Sequence, residues 1–139
     1  MELYDCPWNR FVARATDQSQ PNAAEEPLYA LFWYQAEVNN GGHLQYFLNR
    51  DDPSEWKGAA DVARSIDQAS VANNLETAIQ RWRSRVREAP ETVDEYIDEA
   101  LQEEFDAFDK RYYELDPALH VAFERTIDEL EEASNASGD

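Results

Sequence analysis

The stretch EVNNGGHLQYFLNR, residues 37–50, places Glu37, Asn39, Asn40, His43 and Gln45 within nine residues. These are types that position substrates or move protons. A hydrolase built around Glu37, Asn39, Asn40 and His43 needs the histidine to meet its carboxylate partner across a turn. A thiol nucleophile needs Cys6, the only cysteine, beside His43 or His120, the only histidines. Metal ligands on helices pair one turn apart, yet neither Glu-x-x-His nor His-x-x-x-His occurs, and Glu37 stands six residues from His43. No EF-hand loop, P-loop, Gly-x-Gly-x-x-Gly turn or Gly-x-Ser-x-Gly elbow is present. The sequence therefore assigns no catalytic residue, metal or cofactor, and the expectation is a protein that is not an enzyme, with a hydrolase near Glu37 and His43 as one alternative.

The second concentration of chemistry is charge. Thirty acidic against twelve basic residues give a net charge of -18, which argues against direct binding to nucleic acid or an anionic membrane. Residues 1–87 hold 12 acidic and 9 basic residues, whereas 88–132 hold 17 and 3. Salt adaptation, to which the two lysines against ten arginines also point, would acidify both segments. From Glu91 to Asp109 there are nine carboxylates in 19 residues. On a helix that is about one charge per 3 Å of axis, against roughly 3.4 Å along one DNA strand. Residues set at helical steps with the apolar stripe inward send Glu91, Glu95, Asp98, Glu99, Glu103, Asp106 and Asp109 outward, with Glu104 toward the apolar side. Glu124, Asp128, Glu129 and Glu132 occupy the outer side further on. Like charges repeat at 91/95, 94/98, 95/99 and 99/103, each pair costing a helix some tenths of a kcal/mol. Arg81, Arg83, Arg85 and Arg87 point in different directions around a helix, with Trp82 and Val86 inward. Their expected role is neutralising acids, Glu104 among them.

The elements that must hold these groups are helices. Apolar residues recur at helical spacing throughout and no alternating strand pattern appears. The expectation is an all-α, single compact domain of six or seven helices over residues 1–132, with 133–139 as a disordered tail. The 42% hydrophobic content and 17 aromatics exclude a disordered chain. Helices are expected around Tyr4 to Ala15, Pro27 to Val38, from the glycines through Leu48, Glu55 to Asp67 with Asp52 or Ser54 as cap, and Val71 to Arg87. A long helix opens at Pro90, and Asp116 and Pro117 restart the chain for a last one. If those two pack antiparallel, two acidic rows lie side by side. Asn39, Asn40, Gly41 and Gly42 read as the joint that stops one helix and starts the next, with glycine in the left-handed region. One cysteine, no signal peptide and no apolar run of membrane-spanning length make a cytoplasmic protein the expectation.

The motif AEVNNGGHLQYFLN, with Glu37, Asn39, Asn40, Gly41, Gly42, Gln45, Tyr46, Phe47 and Asn49, resembles the hallmark of the DNA-mimic protein family of the nineteen-kilodalton type. These are small bacterial helical proteins otherwise grouped as a domain of unknown function. FDKRYYELDPAL, residues 108–119, is similar to a second segment of that family, and the likeness runs in order from about residue 28 to 130. His43 stands where family members usually carry an aromatic residue. The resemblance implies a helical domain, able to form a homodimer, whose acidic face occupies the basic surface of a DNA-binding protein such as a repressor, nuclease or nucleoid protein. The family motif itself reads as structural, and the partner-binding residues expected from this sequence are the outward acids named above. An acidic structural or adaptor domain without mimicry is the other alternative.

Overall fold

The computed structural model describes residues 6–16, 24–88 and 94–137, with 85–88, 94–104 and 134–137 described as backbone only. Among the described residues there are five helices and no strand: α1 (Pro7–Thr16), α2 (Glu26–Asn49), α3 (Pro53–Ser65), α4 (Ala69–Glu88) and α5 (Asp94–Ser137). α2 packs on α3, α3 on α4, α4 on α5, and α5 returns to α2, while α1 lies on α5. Four helices thus close a ring around one core, with the fifth laid across it.

Local chemistry sets several of the ends. Pro7 opens α1 and Pro53 opens α3, at positions where the missing N–H costs nothing. Asp52 caps α3, its carboxylate accepting from Ser54 N at 3.0 Å. α3 closes with Gln68 N bonded to Ala63 O and Asp67 N to Arg64 O, at 2.8 and 3.2 Å. Asp67 takes the left-handed conformation usually given to glycine there, with φ 68°.

Trp56, Tyr34, Tyr46, Tyr112, Phe11, Phe47, Phe105 and Phe123 are fully buried. Phe47 is the hub on the α3–α4 side, its ring 5.0 Å from Trp56 and 5.5 Å from both Trp82 and Phe105. Phe11 and Trp8 seat α1 by meeting Phe123 at 5.5 and 5.1 Å. Burying one such side chain contributes about 1.5–3 kcal/mol. Two charged forks fasten α1: Arg10 to Glu131 near the end of α5, and Arg14 to the buried Glu25.

The count of five differs from the expected six or seven because the two helical stretches that meet at Gly42 are counted together as α2 and the break expected at Pro117 is absent. The joint expected at residues 39–42 is present: Gly42 is non-helical and marks a kink between two helical stretches that together span Glu26–Asn49. Asp116 and Pro117 do not restart the chain, since α5 passes through Pro117. The Asp116 side chain is not capping a helix start; it accepts from Gln35 Nε2 at 3.0 Å and the Tyr112 hydroxyl at 3.1 Å. Tyr112 and Leu119, buried on either side of the proline, keep both halves of α5 on one packed line. The two acidic segments therefore stand end to end on one helix, not side by side on two. The helical backbone continues to Ser137, beyond residue 133 where the tail was placed, and residues 138–139 lie outside the described chain.

Candidate functional site

The two glycines of the first motif behave differently. Gly41 stays helical, and a methyl group added there would meet the end of the Gln45 side chain. Gly42 has φ 84° and ψ -179°, a region open essentially to glycine alone. A Cβ on Gly42 would also lie 2.5 Å from Asp109 Oδ2. The bend frees the N–H of His43, and Asp109 Oδ1 on α5 accepts it at 2.8 Å. A carboxylate 66 residues away thus supplies the cap for the second half of α2.

His43 is completely buried. Its Nδ1 lies 2.6 Å from the same Asp109 oxygen and its Nε2 2.8 Å from the Tyr34 hydroxyl. In the neutral ring the hydrogen sits on Nδ1, facing the carboxylate, and Tyr34 donates to Nε2. The rings of Tyr34, Phe47, Phe108 and Tyr112 surround the imidazole at 5.5–6.4 Å, so the histidine packs as an aromatic with two polar handles. Both nitrogens are engaged and neither meets solvent, which leaves His43 nothing to offer a substrate. Glu37 is not its partner: Glu37 Oε2 and the Tyr46 hydroxyl are buried with no hydrogen bond among the described residues. Burial pushes the Tyr34, Tyr46 and Tyr112 hydroxyls above the ordinary tyrosine range. At Tyr112 the charges of Asp116 and Tyr34 add to burial, while a hydrogen bond with Asn39 opposes it.

The remaining contacts join the second motif to the first. The Tyr113 hydroxyl donates to Val38 O at 3.2 Å, serving a carbonyl beside the bend. Asp116 takes Gln35, whose Nε2 also lies 3.1 Å from His120 Nδ1. The segments 37–49 and 108–119 are thus two sides of one contact between α2 and α5. Sequence reasoning missed Tyr34, Gln35, Asp116 and Tyr113 as its members. The signal was present, because Asp109, Tyr112, Tyr113 and Asp116 fall at i, i+3, i+4 and i+7, one helical face. Beside this contact, a cleft of about 340 Å³ opens between α1, α2 and α5.

Of the predicted partner-binding acids, Asp106, Glu124, Asp128, Glu129 and Glu132 are exposed along α5. Asp109 is the exception in placement: its side chain is 21% exposed and turned to His43. Glu95, Asp98, Glu99 and Glu103 stand on α5, but their side chains, with Glu104, Arg85, Arg87 and all of Glu91, lie outside the described residues. Arg81 and Arg83 are exposed on α4. His120 Nε2 lies 2.6 Å from Glu124. Among the described residues no group of three or more His, Cys, Asp or Glu could hold a metal ion, and no helix is long and apolar enough to cross a membrane. A family model described as DMP19-like protein matches residues 19–133. No curated protein and no solved structure matches the chain.

Proposed function

Because the chain belongs to the DMP19-like protein family, we propose that it is an acidic mimic of duplex DNA that occupies the basic surface of a DNA-binding protein and blocks or regulates DNA binding. The observation that carries this reading is α5. It is one helix of 44 residues, about 66 Å long at 1.5 Å per residue, comparable to two turns of duplex at roughly 34 Å each. Its last described turns present Glu124, Asp128, Glu129 and Glu132 to solvent with Arg125 as the interleaved cation. The run from Glu95 to Asp106 stands on the same helix. Arginines and lysines that meet phosphate will meet carboxylates at this spacing, so the protein and DNA should exclude one another. The partner class is a repressor, nuclease or nucleoid protein, bound by a monomer or homodimer.

The test uses Asp106→Asn, Glu124→Gln, Asp128→Asn and Glu132→Gln together, all exposed positions whose size is kept. A basic DNA-binding protein retained on the immobilised parent and eluted by salt is loaded with a labelled duplex. The parent should displace the duplex at physiological salt, and the quadruple variant should need at least about tenfold more protein, the equivalent of 1.4 kcal/mol. Equal displacement, with helical circular dichroism unchanged, would make the acids the solvated face of an adaptor domain.

A further inference from the structure

We propose that the cleft between α1, α2 and α5 is a receptor for one arginine side chain of the DNA-binding partner. The identity of the partner rests on the function proposed above; the cleft's chemistry does not. Its walls are the rings of Trp8 and Phe32, 6.5 Å apart between centroids and inclined at 54°. Its polar lining is Gln35, Asn39 and Asp116, with His120 at the rim and Ala36 between. Gln35 is only 6% exposed, and its Nε2 is committed to Asp116 Oδ1 and His120 Nδ1. The atom it has left is its amide oxygen. Asp116 Oδ1 already takes Gln35 and Tyr112, which leaves Oδ2 as its open acceptor. His120 has one nitrogen on Gln35 and the other on Glu124. Internal bonding has therefore consumed the donors of Gln35 and His120 and left their neighbouring acceptors, one of them charged, beside the two aromatic rings. That combination suits a planar cation with several N–H groups, which stacks on a ring while it donates to a carboxylate. At about 340 Å³ the cleft is at the small end of ligand sites, fitting a side chain better than a cofactor.

The molecule contains an occupied example of the same arrangement. On the other side of α2, Arg50 lies over Trp33 with its guanidinium carbon 4.6 Å from the ring centre. It forks onto Glu55 at 2.5 and 3.2 Å. The cleft at Trp8 has the corresponding ring and carboxylate, and it adjoins Glu124 and Asp128, one and two turns along α5 from His120. A bound arginine would thus sit at the end of the exposed acidic row.

N-acetyl-L-arginine amide serves as probe, with the neutral isostere N-acetyl-L-citrulline amide as control, and the Trp8 indole N–H signal is followed by NMR, assigned through Trp8→Phe. Saturable movement of that signal with the arginine probe is expected, with the Trp33, Trp56 and Trp82 signals unmoved and citrulline at least about tenfold weaker. Asp116→Asn retains an oxygen for Gln35 and Tyr112 but removes the charge; Ala36→Leu narrows the cleft without touching a hydrogen bond. Each should weaken the probe by about tenfold. No saturable movement, equal response to citrulline, or full binding by a folded Ala36→Leu would overturn the assignment. Because the assay contains no DNA-binding protein, its failure leaves the displacement test standing, and failure of displacement leaves the arginine receptor standing.

Discussion

At residues 41 and 42 two adjacent glycines have different reasons to be glycine. Gly42 holds a positive φ and has Asp109 against the place a Cβ would occupy, whereas Gly41 is helical and is crowded by the movable end of Gln45. Gly42→Ala should therefore lower stability by about 2–4 kcal/mol, strain and displacement of the carboxylate acting together. Gly41→Ala should change it by less than about 1 kcal/mol, because the gain in helix propensity offsets the shift of Gln45. Chemical denaturation of the two variants checks this; equal losses would mean that the bend depends on both. The sequence showed that a glycine was needed at this joint. Which one, and for what, was not legible, since Asp109 arrives from a helix that sequence spacing alone cannot bring alongside. The same blindness assigned Asp109 to the outward acids: helical steps give its angle on α5, not the histidine N–H waiting opposite.

Among the elements, periodicity located the apolar stretches whose side chains are described, and the Asp52–Pro53 start of α3 was legible because its chemistry is local. The continuity of α5 was not, because Pro117 is a helix breaker by every local rule and only the packing of Tyr112, Leu119 and Phe123 overrides it. An interior proline forfeits one backbone hydrogen bond and crowds the carbonyl four residues before it, here that of Tyr113. Pro117 is exposed, so replacing it touches no core contact. Pro117→Ala should raise the melting temperature, by the equivalent of about 1–3 kcal/mol. A variant that melts below the parent would show that the proline holds a curvature α5 needs.

For the whole molecule, the shared feature of the core is three buried tyrosines held neutral. Burial raises Tyr34, Tyr46 and Tyr112 above their ordinary value of 10.0, so in the unfolded chain they ionise first. Below about pH 10 both states keep these protons and stability is unaffected by them; above it the unfolded state releases them while the folded state does not, and stability must fall. Three such groups give a loss of about 4 kcal/mol per pH unit. Loss of helical circular dichroism in alkali should coincide with a cooperative step in tyrosinate absorbance; absorbance that reaches its limit for all seven tyrosines with the helices intact would mean these three hydroxyls reach solvent in the native fold. The bond from Asp109 to His43 also bears on the order in which the chain can be completed. During synthesis residues 26–49 emerge long before residue 109, so α2 leaves the ribosome without the carboxylate that caps its second half. Until α5 follows, the bend at Gly42 has an uncapped N–H and His43 has no ion to face, and the ring of helices cannot close. Closure of this domain therefore waits until α5 has been made, whatever α2 and α3 have formed before it.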